Sequence, residues 1–247
     1  MIKHILLLTV ITFSFLTAQD GNYNYYNFNQ SIGIQFDVGY NNFNTTEAEK
    51  YFEQSVSSIQ ERNISIEAQT LYPSNILWGG GVYYYPVPSL SLLLAGEFTK
   101  TKAYSLYGDY AGTIDLKSEI NFFSIYFGVQ KHFRDITSFE PFVGINVGTV
   151  RGEFNYEHNI TYNDYPEQSR SDDVTYSNFG FKGEAYAGVS YNLDFVVLGL
   201  QGGYRYYFIP KPSAKDISGE FRSEDFPFDI EASGFLFRLS LRTGLFW

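Results

Sequence analysis

Apolar and polar positions alternate with a period of two along most of the chain, and the pattern is cleanest at its end. From Gly234 to Trp247 one face carries Phe235, Phe237, Leu239, Leu241, Leu245 and Trp247, interrupted only by Thr243. The other carries Gly234, Arg238, Ser240, Arg242 and Gly244. Successive side chains of a strand point to opposite faces, so a wall of large apolar groups backs onto two arginines. A barrel wall with lipid outside and a polar interior satisfies both faces at once.

Seven earlier segments repeat the pattern. The first, 31–41, sets Ile32, Ile34, Phe36, Val38 and Tyr40 against Gln35 and Asp37. The second spans about 76–85. The third, 90–102, sets Leu92, Leu94 and Phe98 against Ser91, Glu97 and Thr99. In the fourth, 118–133, Phe123, Ile125, Phe127 and Val129 oppose Ser124, Tyr126, Gly128 and Gln130. In the fifth, 139–154, Val143, Ile145 and Val147 oppose Gly144, Asn146 and Gly148. The sixth, 176–191, points Phe181, Ala185, Ala187, Val189 and Tyr191 outward and Lys182, Glu184, Tyr186 and Ser190 inward. The seventh, 195–208, does the same with Leu198, Leu200, Tyr204 and Tyr206 against Gln201, Arg205 and Tyr207.

The connections alternate strictly in length. Segments 86–89, 134–138 and 192–194 are short turns, whereas 42–75, 103–117, 155–175 and 209–230 are long. Short periplasmic turns and long extracellular loops have that rhythm. The expected fold is all-β: one eight-stranded antiparallel up-and-down transmembrane β-barrel over 31–247. Inside the first long loop, Thr46-Glu47-Ala48-Glu49 reads as a capping box. Ala48, Tyr51, Phe52, Val56 and Ile59 follow at helical spacing, which predicts a short amphipathic helix whose stripe needs a surface to cover it.

A last strand that alternates in this way and ends on an aromatic residue resembles the C-terminal assembly signal of bacterial outer-membrane barrels, with Phe237, Leu239, Leu241, Leu245 and Trp247 in the signal positions. The whole pattern resembles the family of small eight-stranded barrels represented by OmpX and the OmpA transmembrane domain. That resemblance implies a bacterial outer-membrane location, recognition by the barrel-assembly machinery during biogenesis, and contact with outer-membrane lipid and lipopolysaccharide. It departs from the OmpA protein in that the sequence ends with the barrel, so no cell-wall anchoring is expected.

Composition narrows the picture further. Lys3 and His4 precede an apolar run from Ile5 to Leu16 and then Thr17-Ala18-Gln19. This run is too short for a membrane helix and has the layout of a secretory signal peptide, 1–19. A polar Asn/Tyr-rich leader, 20–30, follows it. The formal charge of −10 argues against a nucleic-acid partner, which clustered Lys and Arg would have to hold. With no cysteine, disulfides, thiolate metal sites and cysteine nucleophiles are excluded. Tyr and Phe number 22 and 24, a supply of rings that suits interfacial girdles.

Candidate chemistry is sparse. Inward positions collect Asp37, Glu97 and Glu184 with Lys182, Arg205, Arg238 and Arg242. An eight-stranded bore is only wide enough to be filled by side chains, so these charges read as a salt-bridged plug in preference to a narrow channel. His158 has Glu157 beside it and Ser169 and Ser171 nearby, but adjacent residues of an extended chain point apart and the spacing encodes no catalytic geometry. Gly79-Gly80-Gly81 precedes a strand, so it lacks the helix N-terminus a phosphate loop needs; it suits a bend or a close approach. The acidic loops have no calcium-loop spacing. The chain is therefore expected to be a non-enzymatic barrel without catalytic residues, metal or cofactor, meeting a surface partner through its long loops. A small-solute or hydrophobic-molecule channel is the alternative, followed by a lipid-modifying enzyme.

Overall fold

A computed structural model describes residues 32–61, 64–73, 75–87, 89–133, 139–193, 196–218 and 229–244. The signal peptide, the leader, Leu245 and Trp247 of the assembly signal, and the 134–138 turn lie outside the described residues.

Among the described residues ten strands and one α-helix follow in chain order: β1 (Ile32–Asn44), α1 (Thr46–Gln60), β2 (Ala68–Thr70), β3 (Asn75–Val87), β4 (Leu90–Gly108), β5 (Gly112–His132), β6 (Phe139–Tyr162), β7 (Arg170–Leu193), β8 (Val196–Ile209), β9 (Ser213–Ser218) and β10 (Ile230–Gly244). Eight of them close a ring in which each pairs antiparallel with its neighbours: β4-β3-β1-β10-β8-β7-β6-β5, with β5 returning to β4. The last strand zips onto the first, Gly33 opposite Gly244 and Asn44 opposite Ser233. Closure removes every open edge at this level, as a hydrocarbon environment demands.

On the outside of the ring the alternating positions are apolar and bare. Trp78, Leu94 and Phe237 are 61%, 60% and 61% exposed, levels that water would penalise and lipid would not. Along β8 the outward apolar face runs from Val196 to Phe208, about 40 Å of strand, or about 30 Å of membrane thickness once the strand tilts by about 40°. Ring pairs mark the two rims: Tyr204 with Phe235 at a centroid distance of 5.6 Å, and Phe139 with Tyr191 at 4.7 Å. Aromatic girdles occupy these levels in membrane barrels.

Two of the four long loops are not loops. Segment 103–117 continues β4 and β5 up to a turn at Asp109, and 155–175 continues β6 and β7 to a tip at 163–169. The four longest strands therefore rise as a sheet beyond the ring. Its two side edges are covered, β2 pairing β4 at Ser105 and Tyr104 and β9 pairing β7 from Asp173 to Ser177, which blunts the unpaired ladders such a sheet would otherwise offer. In the fourth long loop, β9 is strand and 219–228 lies outside the described residues.

The helix stands where its stripe required, but its cap differs by one residue. Thr45, not Thr46, precedes the first turn; its hydroxyl donates to Glu49 Oε1 at 3.1 Å, and Glu49 N–H donates to the Thr45 carbonyl at 3.0 Å. Ala48, Phe52, Val56 and Ile59 are buried. They enter one apolar cluster with Ile114, Leu116, Phe154, Tyr156, Val174 and Tyr176 from the inward face of the rising sheet, and with Ile209, Ile230 and Ala232 at the barrel rim. The helix closes the mouth from inside the sheet's curve, as a lid.

Candidate functional site

The inward charges separate into two groups. Glu97 on β4 and Glu184 on β7 form the centre of the first, with Lys182 on β7, Arg205 on β8 and Arg238 on β10 around them. Arg205 Nη2 lies 2.8 Å from Glu97 Oε2 and 2.7 Å from Glu184 Oε2. Arg238 reaches the same two carboxylates at 3.0 Å and 3.2 Å. Lys182 Nζ pairs with Glu97 and stands 3.6 Å from Glu184 Oε2. Strand register sets this up, since Glu184 lies opposite Arg205 on β8 and Glu97 opposite Gly79 on β3. At Gly79 an added Cβ would come within 3.2 Å of the Glu97 Cβ and 3.6 Å of the Asp37 Cβ. The first glycine of the Gly79-Gly80-Gly81 run is therefore a close-approach position.

Neutral donors complete the shell. Tyr207 OH donates to Glu97 Oε1 at 2.6 Å, Ser124 Oγ to the same atom at 3.0 Å, and Asn146 Nδ2 to Glu184 Oε1 at 2.9 Å. Lys182 Nζ sits 3.4 Å from the centroid of the Tyr126 ring, a cation–π contact in a dry setting. Buried ion pairs tolerate desolvation only when their remaining lone pairs and protons are satisfied; here Tyr207, Ser124 and Asn146 donate to the carboxylates and Asn41 Oδ1 accepts from Arg205 Nη1 at 3.2 Å, while Arg238 Nε has no hydrogen-bond partner among the described residues. Sequence reading recognised the charges as a group but not these partners, although each occupies an inward slot of the same alternation.

Asp37 and Arg242 stand apart from this cluster. Gln35 Nε2 donates to both Asp37 oxygens at 2.8 Å and 2.9 Å, and Gln35 Oε1 accepts from Arg242 Nε at 2.7 Å. One amide thus relays between the acid and the base. The remaining Nη2 of Arg242 has no hydrogen-bond partner among the described residues.

A second relay, which sequence reading missed, runs along the bore. His132 Nε2 lies 3.0 Å from Ser91 Oγ, and Ser91 Oγ donates to Gln130 Oε1 at 3.2 Å. Gln130 Nε2 donates to Tyr186 OH at 2.9 Å, and Tyr186 OH donates to Asn146 Oδ1 at 3.2 Å. The chain ends on Glu184. Ser91, His132 and Glu140 superficially suggest a nucleophile, a base and an orienting acid. Ser91 and His132 lie on the buried relay, in which Ser91 Oγ donates to Gln130 Oε1, an atom that can only accept. Glu140 Oε2 stands 3.9 Å from His132 Nδ1.

Tyr207 joins the plug to the lid. Its hydroxyl is on Glu97, while its ring packs with Phe43 and Phe122 at centroid distances of 5.8 Å and 5.2 Å. Above this aromatic floor the interior is mostly apolar, and the few polar residues buried there are hydrogen-bonded: Thr101 to the Pro73 carbonyl, Ser105 to the Glu67 carbonyl and Ser118 with Tyr72. Tyr51 of α1 meets Phe154 and Tyr156 edge-on at 6.1 Å and 6.0 Å, and burial, reinforced by Tyr156, pushes its phenol up to about 12. At the far tip, Asp109 accepts from the N–H of Ala111 at 2.8 Å and from Tyr107 OH at 2.9 Å. The Ala111 N–H, with Tyr107 OH, holds that carboxyl below the usual carboxylate range. His158 lies on β6 opposite Asp172, not in a loop; Glu157 beside it points outward to Lys117 at 2.9 Å, so the two do not share a face.

A sheet closed on itself, apolar outside and charged within, defines an integral outer-membrane-type β-barrel protein. No protein-family model matches the sequence, and no curated protein matches it. Among solved structures it is similar to the outer membrane protein OprG from Pseudomonas aeruginosa (14% identity over 88% of this chain and 96% of that one, TM-score 0.43) and to Neisserial surface protein A (12%, 86% and 96%, TM-score 0.40). It is also similar to the outer membrane protease OmpT from Escherichia coli (9%, 91% and 99%, TM-score 0.38). At such identities the activities of those proteins do not transfer to this chain.

Proposed function

We propose that this protein is a non-enzymatic outer-membrane barrel whose bore is closed and whose working surface is the sheet that rises beyond the membrane. The observation that carries this reading is the double closure. Two carboxylates and three cations fill the bore at membrane depth, and α1 fills the mouth above them with Phe52 fully buried. A rigid projecting sheet with its side edges covered presents a fixed surface to lipid or to a partner. Side chains on that surface form cross-strand ion pairs, Lys100 with Glu119 at 2.6 Å and Lys117 with Glu157 at 2.9 Å.

A small-solute conduit is the second reading. It is favoured by Arg242 Nη2 and by both side-chain polar atoms of Gln201, which have no hydrogen-bond partner among the described residues, because such groups suit a hydrated bore. Single-channel recording of the purified protein in planar bilayers separates the two. The closed-bore reading expects no steady conductance from wild type, whereas an open pore whose selectivity changes in Arg242→Ala would replace it with the conduit.

A further inference from the structure

Below the Glu97–Glu184 cluster the bore holds donors that the plug does not use. Arg242 of β10 sends its guanidinium across the bore: Nε donates to Gln35 Oε1 at 2.7 Å, Nη1 lies 3.5 Å from Tyr85 OH, and Cζ stands 5.6 Å from the centroid of the Phe142 ring. The same ring reaches Gln201 of β8. A Cβ added at Gly188 would come within 2.6 Å of Phe142 Cζ and 2.9 Å of Gln201 Cβ, so Phe142 spans the distance between the guanidinium and the amide. Arg242 and Gln201 are 1% and 2% exposed, and neither Arg242 Nη2 nor Gln201 Nε2 has a hydrogen-bond partner among the described residues. Arg238, opposite Gln201 in the register, adds its Nε as a third such donor.

We propose that this part of the bore binds a monatomic halide anion, held by Arg242 Nη2 and Gln201 Nε2. The inference rests on the closed-bore reading, because in an open bore mobile water would hydrate Arg242 freely. Charge separates an anion from water as the occupant. Four cations, Lys182, Arg205, Arg238 and Arg242, face three carboxylates, Asp37, Glu97 and Glu184, and all seven are buried. Glu97 and Glu184 between them pair with Lys182, Arg205 and Arg238. Arg242 has no carboxylate at ion-pair distance among the described residues and meets Asp37 only through Gln35. The next acid along the bore, Glu140, lies at the rim with its side chain 21% exposed, where salt and water screen it. A buried charge without a counter-charge is costly. Water satisfies the donors but not the charge, whereas one anion does both. Close packing limits its size: a Cβ at Gly33, Gly144 or Gly199 would come within 2.4 Å of Tyr83, Tyr186 or Ser240, so side chains already fill the bore around the site.

Refolding the full chain into detergent with sodium bromide as the only halide, followed by crystallisation and anomalous diffraction at the bromine edge, tests this. One bromide peak is expected within hydrogen-bond reach of both Arg242 Nη2 and Gln201 Nε2. In solution the urea midpoint of the wild type should rise as bromide replaces gluconate at constant ionic strength, because a ligand bound only by the folded state stabilises it. Arg242→Gln removes the charge and Gln201→Leu removes the amide; each should lose the bromide dependence while keeping the heat-shifted gel mobility of a folded barrel. Density at Arg242 without anomalous signal, a wild-type midpoint indifferent to bromide, or bromide dependence unchanged in both variants would overturn the proposal. Steady conductance by the wild type would defeat the closed-bore reading and the site with it, whereas a non-conducting barrel without bromide defeats the site alone.

Discussion

Below the aromatic floor the barrel is polar inside and apolar outside; above it the same strands are mostly apolar inside and polar outside. A single strand shows the inversion. On β5 the inward residues run Ile114, Leu116, Ser118, Ile120 and Phe122 down to the floor and Ser124, Tyr126, Gly128, Gln130 and His132 below it, all buried. Outward positions run the opposite way, from Asp115, Lys117, Glu119 and Asn121 to Phe123, Ile125 and Phe127. The backbone never changes its phase. What changes is the solvent, since lipid rewards an apolar exterior and water an apolar interior. The two regions also differ in how they fill their interior, one with paired charges and the other with a helix.

The sharpest break in the lower region is Glu97→Ala. It leaves Lys182, Arg205 and Arg238 facing Glu184 alone, and breaking a buried pair costs about 3–5 kcal/mol. With three cations affected at once, the upper end of that range is expected, read as loss of the compact heat-modifiable species on gels and a lower urea midpoint. Phe52→Ala is the matching break in the upper region. Removing a fully buried ring costs about 3 kcal/mol locally, so limited proteolysis should cut within 46–60 while the membrane barrel keeps its urea midpoint. If both midpoints fall together, the two regions are one cooperative unit.

Tyr207→Phe acts on the seam between them. It keeps the ring on Phe43 and Phe122 but removes the donor to Glu97, a hydrogen bond to a charged group worth about 1.5–3 kcal/mol. The barrel midpoint should fall, with protease resistance of the helix retained. Lys117→Ala, on the exterior of the rising sheet, should be the mildest change. Its pair with Glu157 is more than a third exposed on both sides, and such pairs contribute below about 1 kcal/mol, so denaturation curves should nearly superimpose on wild type.

The inversion also explains which features could be read from the sequence. At membrane depth alternation with an apolar exterior is an unmistakable barrel signal, and the inward residues from Gln35 to Arg242 fell on the correct face. Above the rim the alternation persists with its polarity exchanged. Segments such as 113–117 and 155–157 then look like polar loops, because their charged residues occupy the slots that lipid-facing residues hold lower down. Ile114, Leu116, Phe154 and Tyr156 carried the signal of an inward apolar face; only the level at which water replaces lipid was missing. The stripe on α1 was legible, and its demand for cover pointed to the same core. The hydrogen-bond relay from His132 to Glu184 was not legible, since its members come from β4, β5, β6 and β7 and meet only when the ring closes.

The chain has no cysteine, so spin labels can be placed singly at outward positions 115, 117, 119, 121, 123, 125, 127 and 129 of β5 in bilayers. Their relaxation by oxygen, which concentrates in lipid, is then compared with relaxation by a water-soluble nickel reagent. The inversion requires labels at 115–121 to answer to nickel and those at 123–129 to oxygen, with the crossover between Asn121 and Phe123. Uniform response along the strand, or a crossover near Thr113, would contradict a membrane boundary at the aromatic floor.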